Sequence, residues 1–186
     1  MSLNGKCRFF QHFGILVTYL KIISMRLALY QPDIPQNTGT MLRMATCLNV
    51  AVDIIEPCGF VLNDKRMKRS GMDYLDQTEL VTHSSWGAFN QTRDIPSHSQ
   101  EPSGRLILLS TKATTNYIDF SFRPNDTLMV GQESAGVPDD VHNSVDASVL
   151  IPMALGARSL NIAVSAAMVL GEALRQTRGF PSAARS

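Results

Sequence analysis

Three short segments combine the end of an apolar run with residue types that suit ligand binding: residues 30–43, 129–138 and 151–161. In an open α/β sheet, ligands bind at the carboxyl ends of strands, where loops lead into helices. Gly131 follows the apolar part of the second segment, and a glycine lets backbone amides approach a ligand closely because it has no side chain. The three segments are therefore our candidates for a binding or catalytic site.

Each segment also has a purely structural explanation. Asn37 can cap a helix that begins after the turn former Pro35, and Ser159 can cap the last helix. A pair of glycines in the second segment can form a turn. Glu133 is the only carboxylate of that segment, and the sequence leaves open whether it orients the loop and contacts a ligand or acts as a cap.

Motifs of several other chemistries are missing from the sequence. There is no G-x-G-x-x-G, no G-x-x-x-x-G-K-[ST], no H-E-x-x-H and no G-x-S-x-G. The 4 histidines have no metal-ligand spacing, and the 3 cysteines have no C-x-x-C spacing. We therefore expect no metal and no disulfide framework, which fits a protein of the reducing cytoplasm.

Length and composition favour one compact domain without a strong overall field. Of 186 residues, 44% are apolar and 18% are charged, and 17 basic against 16 acidic side chains give a net charge of +1. A nucleic acid must therefore meet a local patch of positive charge. The main candidate is Lys65, Arg66, Lys68 and Arg69, although such a run is more often a solvated helix face.

The elements that must position these residues alternate between strands and helices. Apolar runs without polar alternation predict strands at 27–30, 51–55, 106–109, 128–130 and 149–151. Such strands are covered on both faces, so we expect an α/β fold with a mostly parallel sheet flanked by helices. Helical spacing predicts helices at 37–49 and 160–177, and a cluster of serine, proline and glycine predicts a surface loop at 93–104.

The first 24 residues differ from the rest of the chain. They contain three basic residues, no acidic residue and a short apolar run at 13–20, which weakly suggests a signal or transit peptide. Because a bilayer crossing needs about 20 apolar residues, we expect no membrane span. The expected organisation is an extension at 1–24, a single domain at 25–181 and a tail at 182–186.

In their order and composition, the segments resemble the SPOUT methyltransferases, most closely the TrmL or YibK-like group that methylates the ribose 2′-hydroxyl of the wobble cytidine or uridine of tRNA. The resembling text is Leu29-Tyr30-Gln31-Pro32-Asp33-Ile34-Pro35-Gln36-Asn37-Thr38-Gly39 with Arg43, Ile55-Glu56-Pro57 with Gly59-Phe60, Asp64-Lys65-Arg66 with Arg69, Gly71, Asp73 and Tyr74, Gly131-Gln132-Glu133 with Gly136 and Pro138, and Ile151-Pro152-Met153 with Arg158-Ser159-Leu160-Asn161. Two positions depart from the group's pattern, since Gln31 stands where Glu is usual and Ala135 where Arg is usual.

The resemblance implies a fold, a cofactor and roles for particular residues. The fold would be the SPOUT α/β knot, with a deep C-terminal trefoil knot that binds S-adenosylmethionine. The implied cofactor-binding residues are Leu109, Gly131, Ile151 and Ser159, acting mostly through main-chain groups. The implied catalytic residues are Arg43, Asn37, Glu133, Ser159 and Asn161. The implied RNA-binding residues are Lys65, Arg66, Lys68, Arg69 and Arg158.

Arg43 is the residue that we expect to be essential. A guanidinium keeps its proton below about pH 12, so it is a poor general base. We expect it to hold a phosphate and to stabilise the developing alkoxide, while the proton passes to water or to a phosphate of the RNA.

The expected function is S-adenosylmethionine-dependent 2′-O-methylation of nucleotide 34 in tRNA. Two alternatives stay open: another tRNA or ribosomal RNA site, or a knotted RNA-binding protein without catalysis. Related knotted enzymes pair through their final helix, and we expect a homodimer with residues 160–176 in the interface. The small and apolar residues of that helix are Ala163, Val164, Ala166, Ala167, Met168, Leu170 and Leu174.

Overall fold

A computed structural model describes residues 25–61, 79–94 and 104–182, and within these ranges seven strands form one sheet. The strands are β1 Arg26–Tyr30, β2 Ala51–Ile55, β3 Leu80–His83, β4 Leu106–Leu109, β5 Thr115–Asn116, β6 Thr127–Val130 and β7 Ala147–Leu150. The helices are α1 Pro35–Cys47, α2 Trp86–Asp94, α3 Asp139–Asn143 and α4 Ile162–Thr177. The strand order is β3-β2-β1-β6-β4-β7-β5, and every neighbouring pair is parallel.

Both faces of the sheet are covered, which explains why the strands read as continuous apolar runs. In β1, Leu27 and Leu29 pack into a cluster with residues of α1 and α4. The alternate residues Ala28 and Tyr30 pack on the other face with Phe89 of α2 and residues of α3. The expected α/β fold with a parallel sheet is confirmed, whereas the trefoil knot stays a prediction.

The helix starts predicted from capping residues were wrong. α1 begins at Pro35, two residues before Asn37, and Ile34 occupies the cap position without a side-chain hydrogen bond. Proline is well suited to the first turn of a helix because its ring fixes φ and its missing N–H would be unpaired there. α4 begins at Ile162, and the capping side chain is that of Asn161 rather than Ser159.

Other boundaries agree more closely. β2 and β4 coincide with the predicted runs, and β1, β6 and β7 differ from theirs by one or two residues. The predicted loop at 93–104 begins too early, because Arg93 belongs to the last turn of α2. Residues 95–103 lie outside the described ranges, as do residues 1–24.

A buried polar network joins the first three strands. The Asp53 carboxylate is 4% exposed and accepts hydrogen bonds from Arg26 Nε at 2.7 Å and Nη2 at 3.1 Å. His83 Nε2 lies 2.9 Å from the same carboxylate. Burial works to lower the pKa of Arg26, but the pairs with Asp53 and Glu79 outweigh it and raise that pKa. The charge of Asp53 is therefore buried with partners rather than alone.

Helix α4 divides the residues that were expected to form an interface. Ala163, Ala166, Leu170 and Leu174 are buried in the chain's own core, so they are not available to a partner. Val164 is 50% exposed and Met168 is 39% exposed, and Ala167 is exposed beside them.

In the described part of the chain, no helix is both long enough and apolar enough to cross a membrane.

Candidate active site

A cavity of about 280 Å³ lies at the carboxyl ends of β4, β6 and β7. All four residues predicted to bind the cofactor line it: Leu109, Gly131, Ile151 and Ser159. Side chains of Leu108, Val130, Met153 and Leu160 also line it, so much of the wall is apolar. A largely apolar wall with backbone groups at strand ends suits a flat, partly apolar ligand with a few polar atoms.

The loop after β6, residues 131–136, is closed by its own backbone. Gln132 and Gly136 exchange two hydrogen bonds of 2.8 Å each, and Gly136 has a φ of +69°. A Cβ placed on Gly131 would lie 2.5 Å from the carbonyl carbon of Gly136. Gly131 is therefore required by the loop itself, because any side chain would force its backbone away from that of Gly136.

Asn37, Glu133 and Asn161 meet in one hydrogen-bonded network. The Asn37 side-chain nitrogen donates to the Glu133 carboxylate, and Asn37 Oδ1 accepts from Asn161 Nδ2 at 3.0 Å. The Oδ1 atom of Asn161 accepts from the backbone of Ala163 and Val164, which caps α4. The network brings together three of the five predicted catalytic residues, and neither Asn37 nor Glu133 caps a helix there.

Asp33 is a member of the site that sequence reasoning did not single out. Its Oδ1 accepts from the backbone N–H of Glu133 at 3.1 Å, and its Oδ2 accepts from the backbone N–H of Ser134 at 3.1 Å. The Ser134 hydroxyl also donates to Oδ2. Burial works to raise the pKa of Asp33, but these hydrogen bonds outweigh it and lower that pKa below its usual value. No local signal predicts contacts to residues 100 positions away.

Ser159 and Ser165 line the cavity, and Asn161 lies between them in the chain. The Asn161 side chain is used by Asn37 and by the cap of α4. Its backbone carbonyl accepts from the Ser165 N–H at 2.9 Å as an ordinary helical bond. Arg158, the residue before Ser159, is exposed at this edge of the sheet.

Arg43 is not brought to the cavity of its own chain. It is exposed on α1 and lies six residues after Asn37, which places the two side chains on different faces of the helix. Among the described residues that line the cavity, Arg43 is missing. The basic residues Lys65, Arg66, Lys68 and Arg69 lie outside the described ranges.

Two side chains that line the cavity, Lys112 and Gln132, form polar pairs that were also missed. Lys112 Nζ lies 3.0 Å from Asp139 Oδ1, and this pair lowers the pKa of Asp139. Both side chains are largely exposed, so the pair contributes little to stability. Gln132 Nε2 donates to Gln31 Oε1 at 3.4 Å, and Gln31 has a φ of +44°. A glutamate at position 31 could accept the same bond, so this departure from the SPOUT pattern preserves the contact.

No group of side chains within the described ranges is arranged to hold a metal ion.

Comparison with known proteins places the chain among RNA methyltransferases. Residues 24–171 match the SpoU rRNA methylase family. The tRNA (cytidine(34)-2′-O)-methyltransferase of Beijerinckia indica subsp. indica is 59% identical over 150 residues, which are 81% of this chain and 90% of that protein. The protein of the same name from Escherichia coli is 35% identical over 161 residues, which are 86% of this chain and 97% of that protein.

Solved structures share the fold. A structure that concerns the 2-OH methylation of C/U34 on tRNA has a TM-score of 0.75 at 35% identity and covers 82% of this chain and 95% of that chain. The SpoU methyltransferase AviRb from Streptomyces viridochromogenes, in complex with the cofactor AdoMet, has a TM-score of 0.75 at 27% identity. That match covers 82% of this chain and 60% of AviRb.

Proposed function

The chain belongs to the SpoU rRNA methylase family, and from that membership we propose that it transfers a methyl group from S-adenosylmethionine to the ribose 2′-hydroxyl of nucleotide 34 in tRNA. The observation that carries the proposal is the convergence of Leu109, Gly131, Ile151 and Ser159 on one cavity. The relatives named as tRNA (cytidine(34)-2′-O)-methyltransferases support the wobble position as the target.

The cavity fits the cofactor on chemical grounds. Its apolar wall, including Leu109, Ile151 and Met153, suits an adenine ring, and the strand ends offer backbone groups to the ring nitrogens. Lys112 and Glu133 also line the cavity and are of opposite charge, which suits the carboxylate and ammonium of an amino acid. When bound there, S-adenosylmethionine supplies an electrophilic methyl group on a sulfonium. The chain's own task is to hold the ribose hydroxyl in line with it and to exclude water.

Arg43 acts in this proposal from the second subunit of a homodimer. Its own chain holds it away from the cavity, on the helix α1, which packs beside α4. An interface built on Val164, Ala167 and Met168 of α4 would cover the apolar part of that helix that stays exposed. The partner's guanidinium would then hold an RNA phosphate and stabilise the oxygen as it loses its proton. The proton passes to water or to a phosphate of the RNA.

The RNA is bound by local positive charge in this proposal. Arg158 is exposed beside Ser159 at the edge of the cavity, and Lys65, Arg66, Lys68 and Arg69 supply the remaining cations. A net charge of +1 gives no wider attraction, so methylation should weaken steeply as salt screens these contacts. The proposed tRNA substrate supports a location in the cytoplasm.

Mapping 2′-O-methyl groups in total RNA from cells with and without the gene tests the target. We expect one loss, at nucleotide 34 of one or more tRNAs, and its return when the wild-type gene is restored. A loss at another tRNA position or in ribosomal RNA would move the target while keeping the reaction. An unchanged map, together with no binding of S-adenosylmethionine in calorimetry, would instead support an RNA-binding protein without catalysis.

A further inference from the structure

We propose that Asp33 is a positioning residue for methyl transfer, which holds the 131–136 loop so that the Glu133 carboxylate meets Asn37. This inference rests on the proposed function and adds to it a residue that does not line the cofactor cavity. The carboxylate of Asp33 accepts three hydrogen bonds from two consecutive residues at the loop tip, Glu133 and Ser134. We call this set of bonds the Asp33 clasp.

The Asp33 clasp fixes the backbone from which the Glu133 side chain projects. The base of the loop is closed by the paired backbones of Gln132 and Gly136, and its tip is held by Asp33. Glu133 is exposed, so its direction is not fixed by burial in the core. The direction of its carboxylate therefore depends on the backbone around it and on its bond to Asn37.

Asp33 can serve as a support because its own loop is anchored elsewhere. Gly59 donates a hydrogen bond of 2.9 Å to the carbonyl of Pro32. Gly59 also lies so close that a Cβ on it would be 2.9 Å from the Cα of Asp33. At the start of the same loop, the backbone N–H of Gln31 donates to the carbonyl of Ile55 at 2.8 Å. The segment after β1 is thus tied to β2 and to the loop that follows β2.

The effect of the Asp33 clasp reaches the cavity wall through three side chains. Glu133 accepts from Asn37, and Asn37 accepts from Asn161. Asn161 caps α4 two residues after Ser159, which lines the cavity. A shift of the loop tip would therefore displace both the Glu133 carboxylate and the start of α4.

An ionised carboxylate suits this role better than an amide. Asp33 offers two acceptor oxygens to three donors and has no proton to place against an N–H. The substitution Asp33→Asn keeps the shape but turns one of these acceptors into a donor, so it sets an NH2 group against an N–H. That variant breaks part of the Asp33 clasp without emptying the space.

A double-mutant cycle on kcat tests whether Asp33 acts through Glu133. We expect Asp33→Asn to lower kcat by about 100-fold, the effect of a misplacement of about 1 Å at a reacting site. In a Glu133→Gln background, the same change should lower kcat by less than about twofold further, because the group that it positions is already impaired. Equal effects of Asp33→Asn in the two backgrounds would overturn the proposal, as would unchanged kcat in Asp33→Asn.

Asp146→Asn is the matched control. Asp146 also accepts a backbone hydrogen bond, from Leu106 at 2.7 Å, but at the amino end of the sheet. We expect Asp146→Asn to lower the melting temperature, to leave kcat within about twofold of wild type, and to combine additively with Glu133→Gln. An Asp33→Asn variant that behaves like Asp146→Asn would reduce Asp33 to a structural role.

Amide hydrogen exchange separates this proposal from the proposed function. In Asp33→Asn, the amides of Glu133 and Ser134 should exchange at least about tenfold faster than in wild type, whereas unchanged exchange overturns the Asp33 clasp. If wild-type protein does not methylate nucleotide 34 but exchange responds as expected, the proposed function fails and the clasp stands as a support of the loop only. If wild-type protein methylates nucleotide 34 and Asp33→Asn does so equally well, the function stands and the positioning role fails.

Discussion

The side-chain nitrogen of Asn161 donates a 3.0 Å hydrogen bond to the side-chain oxygen of Asn37, a residue 124 positions earlier in the chain. Neither Asn37 nor Asn161 lines the cavity, but Glu133, which is bonded to Asn37, and Ser159, two residues before Asn161, both do. Asn37 also donates to Glu133, so one amide joins the first turn of α1, the loop after β6 and the start of α4. The polar residues of the three segments therefore organise the loops that line the cavity.

Gly131→Ala should prevent the 131–136 loop from closing and weaken S-adenosylmethionine binding. Its new Cβ would lie 2.5 Å from the carbonyl carbon of Gly136, and Gly131→Val would add further atoms in the same place. We expect affinity to fall by at least about tenfold, which is 1.4 kcal/mol, in titration calorimetry. Gly87→Ala is the control, because the nearest atom to its Cβ is Ser85 Oγ at 3.8 Å. Wild-type affinity in Gly131→Ala would show that the loop tolerates the side chain.

Arg43→Ala should lower methyl transfer by at least about 100-fold and leave S-adenosylmethionine affinity near wild type, because a preorganised charge is lost outside the cavity. Mixing this variant with Gly131→Val should restore activity if the partner supplies Arg43. Each mixed dimer then has one site with an intact loop and an intact arginine, so an equal mixture holds about a quarter of the normal sites. The measurement is the rate of methyl incorporation into tRNA before and after subunit exchange. A mixture as inactive as its two components would mean that the site is not shared.

Met168→Glu should convert the proposed dimer into monomers by placing a charge in the exposed apolar part of α4. Sedimentation equilibrium at micromolar concentration should report about twice 20.5 kDa for wild type and about 20.5 kDa for the variant. Ile118→Glu is the control, since Ile118 is 56% exposed but follows β5 at the far edge of the sheet. A wild-type protein that is monomeric and fully active would contradict the interface.

The contribution of Asp33 to stability should disappear in acid. The pKa of Asp33 is lowered in the folded protein from its usual 3.8, so its contribution is present above that value and is lost as the pH falls further. Thermal unfolding of wild type and Asp33→Asn, followed by circular dichroism, should show a gap in melting temperature at about pH 7 that narrows towards about pH 3. Because the carboxylate is partly exposed, we expect a small gap. A gap of constant size across this range would mean that Asp33 does not ionise as described.

The strands that could be predicted from the sequence are those buried on both faces. Every residue of β2 is buried, and four of its five residues are apolar, with Asp53 as the exception. β3 was missed because it lies at the edge of the sheet, with Val81 and Thr82 exposed and His83 buried against Asp53. β5 has only two residues, which is too short for any periodic pattern.

The site could be predicted only as far as local residue types reveal it. Glycine at position 131 was expected for close approach to a ligand, and the structure adds an internal reason, the backbone of Gly136. The local pattern offered Asn37 as a helix cap, the usual local use of asparagine, and only the resemblance placed it in the site; its partners lie 96 and 124 positions away. Contacts of that separation follow from the order of the strands, which spacing along the chain does not encode.

The pairing of β1 with β6 determines when the sheet can form during synthesis of the chain. Arg26 of β1 lies beside Thr127 of β6, so β1 has a neighbour that is made about 100 residues later. At a synthesis rate of about 5–20 residues per second, β1 waits roughly 5–20 s for that neighbour. During this time, β1 can pair only with β2, and its other edge stays open. The 131–136 loop can therefore take its place beside β1 only after β6 has been synthesised and has paired with β1.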